Sequence, residues 1–427
     1  MHASSRTNVL FLTHRVPYPP DKGDRIRTFN VLRFLSQRAR VHLASLADEP
    51  VSEEIQRALG RYCERVAIVN VGGWSRWFRT GFSLIRGGTA SEGSFQVPEL
   101  RAILRRWAGD TRFDVSLASA SSIASYLRLE ELQGVPAVVD FIDVDSQKWF
   151  DYAASRRGPR AWLYRTEGSR LRRLEQNIST WASAVTLVGE AEVDLFRQFC
   201  PDGPVHAIHN GVDMEYFHPH RLVGSASNES KAPSCVFVGA LDYYPNIDAI
   251  LWFCCDVWPE VHRLRPEAKF YIVGRRPSSA LRRVDGLPGV ELVGQVPDVR
   301  PYMAKASVTI VPLRIARGVQ NKILESLAMC RPTIVSPPTL AGLNARPGVH
   351  LLQASSSEEW LHTILALFDD PSLRGRLGEA GRCYVEEQHS WERCLEPLSS
   401  LLGLDRSETN PPLMGQPVNV EAIDIAR

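Results

Sequence analysis

The sequence predicts an α/β protein of two doubly wound domains that face one another, with a ligand cleft between their strand ends. Three observations predict this fold class. Apolar runs rich in β-branched residues alternate with amphipathic helical patterns, the alternation occurs twice along the 427 residues, and a polar segment separates the two series. Continuous apolar strands separated by helices are typical of parallel sheets covered on both faces. Ligands bind such sheets beyond the carboxyl ends of the strands.

The first series predicts an N-terminal Rossmann-like domain over residues 1–217. Its predicted strands are Asn8–Thr13, Val41–Ser45, Val66–Val71, Val115–Ala118, Ala137–Phe141, Ala184–Val188 and His206–His209. The helical spacing of apolar residues predicts helices over Ile26–Leu35, Glu53–Cys63, Glu99–Trp107 and Glu190–Phe199.

Residues 218–234 are rich in Pro, Gly, Ser and Asn and predict a surface linker. The second series, residues 235–385, predicts a second Rossmann-like domain. Its predicted strands are Cys235–Val238, Phe270–Val273, Val290–Val293, Val308–Val311, Thr333–Ser336 and His350–Gln353. Its predicted helices are Ile247–Leu264, Arg300–Ala306, Gln320–Met329, Glu358–Phe368 and Leu373–Glu387. We expect residues 386–404 to form a helix that returns to the first domain, and the polar tail 405–427 to be disordered.

Composition and charge favour a cytoplasmic enzyme. The net charge of +2 argues against a general nucleic-acid binder. The eight cysteines show no C-x-x-C pairing, so they indicate buried thiols rather than disulfides or a zinc site. The first apolar run, Val9 to Leu12, is too short for a signal-peptide core, and no window approaches the roughly 20 apolar residues of a spanning helix.

One predicted strand leads through a short glycine-containing loop into a helix. The strand ends at Pro312, and the apolar residues Leu324, Leu327 and Ala328 then follow with helical spacing. The first turn of such a helix presents unpaired N–H groups and a partial positive charge. This segment therefore predicts a phosphate site at the strand end.

Charged side chains surround that turn. Arg314, Arg317 and Lys322 are cations, and Glu325 lies three residues after Lys322 on the same helix face. Cations at the phosphates and a carboxylate one turn deeper suit a nucleoside diphosphate, because the carboxylate accepts hydrogen bonds from ribose hydroxyls. A solvated surface helix with an i,i+3 Lys/Glu pair is the alternative interpretation.

Five segments in the second half and at its start share one order with a known family. They are Asn210–Asp213, Phe237–Leu241, Tyr271–Gly274, Val293–Val296 and Glu325–Val335. In these segments the chain resembles the retaining glycosyltransferases of GT-B fold, family four. The resemblance implies a GT-B fold, in which residues 1–217 form the acceptor-side domain and residues 235–385 bind a nucleoside diphosphate sugar donor.

Three other segments resemble a bacterial subgroup of that family, the sugar transferases associated with exopolysaccharide and exosortase (PEP-CTERM) gene clusters. They are Pro17–Arg27, Val139–Ser146 and Asp242–Ala249. The resemblance implies that the glycine loop around Gly23 lies beside the donor phosphates and the sugar. An ordinary strand-to-helix connection with Asp24 as the N-cap is the alternative.

Asp143 follows another predicted strand end and is the acidic group that we expect to contact the transferred sugar or the acceptor hydroxyl. The neighbouring Asp145 and Ser146 are equally well explained as helix caps. No residue stands out as a general base, which suits retaining chemistry in which the leaving phosphate helps to deprotonate the acceptor. Asp143-Val144-Asp145 matches the D-x-D pattern of a metal-binding motif, but enzymes of this family normally work without a divalent ion. We therefore predict that the reaction does not require a metal ion.

The chain departs from the wider family at two places. Arg317 stands where the family's E-x7-E pair has its first glutamate, and Ala240 and Asn246 align with the usual diphosphate-binding Arg and Lys. Cations from the later loop are the natural replacements, since phosphates require compensating charge. The predicted donor-binding residues are Gly23, Asp24, Gly239, Arg314, Gly318, Val319, Asn321, Lys322 and Glu325. The predicted catalytic residues are Asp143, Lys322 and Arg317.

The resemblance therefore predicts a retaining, metal-independent hexosyltransferase that needs no cofactor. Its partners would be a nucleoside diphosphate sugar and a glycan or polyprenyl-diphosphate-linked acceptor of exopolysaccharide or cell-surface polysaccharide synthesis. A sugar-nucleotide epimerase of the same fold and a non-catalytic subunit of a polysaccharide assembly complex are the alternatives. A dehydrogenase is disfavoured, because neither domain has G-x-G-x-x-G after its first strand.

Arginines and aromatic residues occur together in the first domain, at residues 76–86, 101–107 and 156–173. Basic amphipathic surfaces with aromatic anchors bind anionic membranes reversibly. We therefore expect a peripheral location on the cytoplasmic face of the inner membrane. A solvated helix face is the alternative.

Overall fold

The computed structural model describes residues 6–20, 23–71, 74–154, 157–221, 232–316, 318–340, 342–404 and 419–423. The chain divides into two compact units. The N-terminal unit comprises Met1–Ile208 and Leu395–Arg427, and the C-terminal unit comprises His209–Cys394. Both units are layered α/β structures built on a parallel sheet.

The strands lie close to the predicted positions, and each predicted strand overlaps an observed one. In chain order they are β1 Asn8–Thr13, β2 Arg40–Ala47, β3 Arg65–Asn70, β4 Val115–Ser119, β5 Ala137–Ile142, β6 Ala184–Leu187, β7 Val205–Ala207, β8 Ser234–Val238, β9 Lys269–Val273, β10 Val290–Gly294, β11 Val308–Val311, β12 Thr333–Val335, β13 Leu352–Gln353 and β14 Asn419–Ile423.

Helices connect most consecutive strands. They are α1 Gly23–Ser36, α2 Glu53–Gly60, α3 Trp74–Ile85, α4 Ala90–Phe95, α5 Pro98–Asp110, α6 Asp145–Ala154, α7 Pro159–Ser179, α8 Glu190–Arg197, α9 Tyr244–Asp256, α10 Trp258–Leu264, α11 Arg300–Lys305, α12 Asn321–Ala328, α13 Ser357–Asp369, α14 Pro371–Gln388 and α15 Trp391–Leu401. Short 3₁₀ turns occur at Ser121–Arg128, Glu130–Leu132, Leu281–Arg283 and Pro337–Leu340.

In the described part of the N-terminal unit, eight parallel strands form one sheet in the order β14-β3-β2-β1-β4-β5-β6-β7. Strand β1 lies inside this sheet, where Val9 pairs with Val41 of β2 and Val115 of β4. Its residues Val9–Leu12 are fully buried, because helices cover both faces of the sheet. The strand order reverses between β1 and β4, which makes their carboxyl ends the topological switch point of this unit.

The described part of the C-terminal unit has a six-stranded parallel sheet in the order β10-β9-β8-β11-β12-β13. Strand β8 lies between β9 and β11: Cys235 pairs with Phe270 on one side and Val308 on the other. Strands β9 and β10 follow on one side of β8, and β12 and β13 follow on the far side of β11. The switch point of this unit therefore lies between the carboxyl ends of β8 and β11, where open α/β sheets bind ligands.

The change from one unit to the other falls earlier in the chain than predicted, after residue 208 rather than 217. Backbone pairing explains the shift. The N–H of Val212 donates to the carbonyl of His389 at 2.8 Å, and Val212 forms a β-bridge with Ser390. A Cβ on Gly211 would lie 2.6 Å from the backbone nitrogen of Trp391, so this turn packs tightly on its own unit. From Leu395 onward the chain groups with the N-terminal unit.

Two further differences from the predicted elements have simple physical causes. The predicted helix 247–264 is interrupted at Val257, since Pro259 at the start of α10 lacks an N–H and favours a helix start. The tail was predicted to be disordered, yet Asn419–Ile423 form β14 and pair in parallel with β3. This pairing satisfies the backbone groups of an otherwise open sheet edge. The remaining tail residues, 405–418 and 424–427, lie outside the described residues.

Candidate functional site

The loop after β11 presents the first turn of α12 without a side-chain cap. Gln320 occupies the N-cap position with extended backbone, and its side chain accepts no bond from the first turn. Gly318 adopts φ +57°, a left-handed conformation that glycine takes without strain, and Val319 is buried and fastens the loop to the core. The N–H of Ile323 already donates to the carbonyl of Gln320 at 2.9 Å, so the N–H groups of Asn321 and Lys322 are the first-turn donors that suit an anion.

Lys322 lies at the carboxyl end of β8, held by residues distant in the chain. Its Nζ donates a 2.6 Å hydrogen bond to Oδ1 of Asn246 and lies 4.8 Å from the ring centroid of Phe237. Asn246 is itself buried and donates from Nδ2 to the carbonyl of Ala240 at 2.8 Å. An ammonium group has three donors, so one bond to Asn246 leaves two for a ligand.

Gly239 supplies the space in which the Lys322 ammonium group lies. A Cβ added to Gly239 would lie 3.0 Å from Nδ2 of Asn246 and 3.3 Å from Nζ of Lys322. The neighbouring Gly274, after β9, has φ +157°, and a Cβ there would lie 1.7 Å from the carbonyl oxygen of Gly239. Both glycines are therefore required for the close approach of backbone and cation at the switch point.

Glu325 lies one turn further along α12 and is partly buried. Burial raises its pKa to about 7, against the opposing effect of Lys322. Burial likewise lowers the pKa of Lys322 to about 8, and the Glu325 carboxylate opposes that change. Among the described residues none donates a hydrogen bond to the Glu325 side chain, which leaves its oxygens able to accept bonds from ligand hydroxyls.

The structure gives the other predicted cations of this loop different surroundings. Arg314 is exposed and its Nε donates to Oδ2 of Asp248 at 2.9 Å, so it enters the site only by leaving or sharing that partner. Arg317, predicted as a catalytic residue, lies outside the described residues. Asn321 opens α12 and its Oδ1 accepts a 3.4 Å hydrogen bond from Asn210. Lys322 is thus the loop cation that the described structure places at the switch point.

In the N-terminal unit, Gly23 and Asp24 open α1 shortly after β1 ends. A Cβ on Gly23 would meet nothing within 4 Å, so the protein itself imposes no steric need for glycine there. Arg15 donates from Nη1 to Oδ2 of Asp24 at 2.8 Å, and Nε2 of His14 lies 3.6 Å from the same oxygen. Burial alone would raise the pKa of Asp24, but hydrogen bonds from His14 and Arg15 hold it well below its usual range.

Asp143 follows β5, and the residue before it has a strained backbone. Ile142 adopts φ +70°, which is unusual for a β-branched residue and is found chiefly where function or tight packing requires it. Nζ of Lys148 lies 2.9 Å from Oδ2 of Asp143 and 3.1 Å from Oδ1 of Asp145. The two carboxylates therefore share one ammonium group, and no cluster of three or more potential metal ligands exists among the described residues.

Sequence reasoning missed the residues that position Lys322. Phe237 and Asn246 lie within the segments quoted above, but both are far from Lys322 in the chain; Asn246 precedes it by 76 residues. The strand order brings the three side chains together. Asp248 was likewise not identified as the partner of Arg314. The sequence carries no local signal for these contacts, because the burial of Asn246 and its need for a partner follow from the fold.

Comparison with known proteins agrees with this fold. Residues 232–370 match the family model described as glycosyl transferases group 1. A 252-residue stretch is 27% identical to a GDP-mannose-dependent monoacylated alpha-(1-6)-phosphatidylinositol monomannoside mannosyltransferase of Corynebacterium glutamicum. That match covers 53% of this chain and 64% of the relative, so the chain spans slightly under two thirds of the relative's length.

Solved structures of the same architecture cover nearly the whole chain. Anabaena HepE in complex with UDP superposes with a TM-score of 0.64 at 15% identity, covering 93% of this chain and 100% of that one. Sucrose-phosphate synthase from Thermosynechococcus elongatus gives a TM-score of 0.66 at 15% identity, covering 93% and 98%. The predicted fold class, α/β with two Rossmann-like parallel-sheet domains of GT-B type, is confirmed. Together these findings show that the chain has the GT-B fold of these solved structures and that its residues 232–370 are similar to the group 1 glycosyltransferases.

Proposed function

We propose that this protein transfers a sugar from a nucleoside diphosphate donor to a glycan or lipid-linked acceptor of bacterial exopolysaccharide or cell-surface polysaccharide synthesis. One observation carries the proposal: Lys322 and Glu325 stand at the uncapped start of α12, beside Gly239 at the switch point of the C-terminal sheet. The matched relative uses GDP-mannose according to its name, and Anabaena HepE has been solved with UDP-glucose. Those two facts support a sugar nucleotide as the donor class.

The roles in donor binding follow from charge and position. The diphosphate lies at the first turn of α12, where the N–H groups and the Lys322 ammonium group carry the positive charge. Glu325 accepts hydrogen bonds from the ribose hydroxyls. As the sugar departs, negative charge grows on the diphosphate, and Lys322 stabilises that leaving group.

The finer parts of the proposal concern the sugar. The anomeric configuration is retained, no divalent ion takes part, and the glycine loop at Gly23 together with Asp143 contacts the donor sugar or the acceptor from the N-terminal unit. Arg317 adds a cation to the diphosphate. The protein works on the cytoplasmic face of the inner membrane, where a polyprenyl-diphosphate-linked acceptor lies.

Donor turnover tests the proposal and separates it from the alternatives. Purified protein is incubated with UDP-, GDP-, ADP- and dTDP-linked hexoses, with a lipid-linked acceptor fraction and with EDTA, and products are followed by NMR. A transferred sugar with unchanged anomeric configuration is the expected result. An altered sugar nucleotide formed without acceptor would identify an epimerase, and nucleotide binding without turnover would favour the assembly subunit.

Two variants with matched controls assign the reaction to this site. Glu325→Ala and Lys322→Ala should abolish turnover, whereas Glu291→Ala and Lys269→Ala should not. Lys269 is the first residue of β9 and lies at the amino ends of the strands, away from the carboxyl ends where Lys322 lies. Glu291 is exposed on β10. Full activity in the first pair would contradict the assignment.

A further inference from the structure

Helix α3 exposes four large apolar side chains to solvent. The exposed fractions are 75% for Trp77, 76% for Phe78, 56% for Phe82 and 86% for Ile85. These four residues lie within three turns of one another. Contiguous apolar surface of this kind marks an interaction site, because water contact with it is unfavourable.

A second group of exposed aromatic and aliphatic side chains lies at the junction of α6 and α7. Trp162 is 69% exposed, Leu163 52% and Tyr152 53%. Tyr152 packs edge-on against Trp149, with ring centroids 6.3 Å apart, so the junction is an ordered aromatic cluster rather than a lone side chain.

Hydrogen bonds connect the segment that follows α3 to helix α7 within the N-terminal unit. The N–H of Ala90, just beyond α3, donates to Oε1 of Glu167 on α7 at 2.8 Å. Nη1 of Arg170 on α7 donates to the carbonyl of Gly88 at 3.0 Å. These bonds hold residues 88–90, between α3 and the start of α4, against α7, where Glu167 lies one turn after Leu163. We call α3 and the α6–α7 junction together the aromatic-basic surface.

The two stretches of chain that carry most of these exposed side chains contain arginines and no acidic residue. Residues 71–91 contain three arginines and no acidic residue, and residues 152–166 contain four arginines and no acidic residue. Among the described residues, the guanidinium groups of the exposed Arg157, Arg160 and Arg165 make no hydrogen bond or ion pair. Arg86 lies over the ring of Phe82, 4.2 Å from its centroid. Unpaired cations beside exposed aromatics are complementary to an anionic surface with an apolar layer beneath it.

We propose that the aromatic-basic surface docks on the anionic phospholipid surface of a bilayer. The arginines bind lipid phosphates, and Trp77, Phe78 and Trp162 insert at the level of the headgroups. No helix of the described residues is long and apolar enough to cross a membrane. The inference deepens the proposed function, which places the acceptor in a bilayer, but vesicle binding itself requires neither donor nor acceptor.

Vesicle sedimentation tests this surface directly. The full-length protein is spun with sucrose-loaded vesicles of phosphatidylcholine alone or with 30% phosphatidylglycerol, at low and at high salt. One variant combines Arg157→Gln, Arg160→Gln and Arg165→Gln, and another combines Trp77→Ser, Phe78→Ser and Trp162→Ser. The matched controls on the C-terminal unit are Arg282→Gln with Arg283→Gln, and Leu264→Ser with Val349→Ser, all at exposed positions.

The expected result is binding to the anionic vesicles that weakens at high salt, because salt screens the phosphates. Removing three arginines should lower the partition coefficient about a hundredfold, since each contributes a factor of about five. The aromatic variant should also lose binding, and both controls should bind as wild type. Failure of wild type to bind, or equal binding by the arginine variant, overturns the proposal and leaves a protein partner as the occupant.

Nucleoside diphosphate binding measured on the same samples separates this inference from the proposed function. Variants that lose vesicle binding but keep nucleotide binding confirm two independent surfaces. If the wild-type protein does not bind nucleoside diphosphates, the donor site is contradicted, whereas the vesicle result still stands.

Discussion

Replacing Lys322 tests the donor site most directly, because its ammonium group is the described cation nearest the uncapped start of α12. Lys322→Met keeps an unbranched apolar chain over the Phe237 ring and removes the charge. A hydrogen bond from a charged donor contributes about 1.5–3 kcal/mol, so loss of one bond to the diphosphate weakens binding roughly 10- to 150-fold. The dissociation constant is measured by calorimetry, and Lys269→Met is the matched control.

The same side chain predicts a pH dependence. Burial lowers the pKa of Lys322 to about 8, so the free protein loses this charge as the pH rises through that value. The terminal phosphate, with a pKa of about 6, is already ionised there. One proton is therefore taken up with each ligand above pH 8, and affinity at pH 9 should be about tenfold lower than at pH 7.

Lys322→Arg distinguishes charge from position, because arginine stays charged across this range. Its affinity should vary little between pH 7 and 9, although the planar group fits the Asn246 partner less well. Wild-type affinity that stays constant from pH 7 to 9, or Lys322→Met with unchanged affinity, would refute the placement of the diphosphate at α12.

Other consequences are measurable by calorimetry and binding. Arg27→Met leaves the buried carboxylate of Asp140 without its bidentate partner, at 2.8 and 2.9 Å, and should destabilise the N-terminal unit by about 3–5 kcal/mol. Arg265→Met removes the ion pair with Asp369, which faces solvent, and should destabilise the protein much less; equal destabilisation by both substitutions would contradict this reasoning. Gly274→Ala forces the Gly239 carbonyl to move and should lower the affinity for nucleotide. The melting temperature of the N-terminal unit, which does not contain Gly274, should stay unchanged. Nucleotide binding should be unchanged by EDTA.

The element order was predictable because each element carries its own pattern. Apolar β-branched runs and helical spacing are local properties, and the strands β1 and β11 begin and end where the sequence predicted. Prediction failed where distant residues decide the outcome. The tail has a polar sequence, and its strand β14 forms because it pairs with β3, about 350 residues earlier in the chain.

The candidate site divides in the same way. Lys322 and Glu325 were identified from their spacing on one helix turn, which is a local feature. Their environment was not, since Phe237 and Asn246 reach Lys322 only because β8 and β11 are neighbours. Arg314 was interpreted as a phosphate ligand, and its bond to Asp248 became visible only in the folded chain.

By itself the sequence determined the alternation of strands and helices, the glycine loops and the Lys322–Glu325 pair, because these depend on residues a few positions apart. Only the tertiary structure decided the strand order, and with it the switch point between β8 and β11. It also decided which cation is held at that point and how far each group's pKa departs from its usual value. Burial and partner identity arise from packing between distant segments, and no local pattern encodes them.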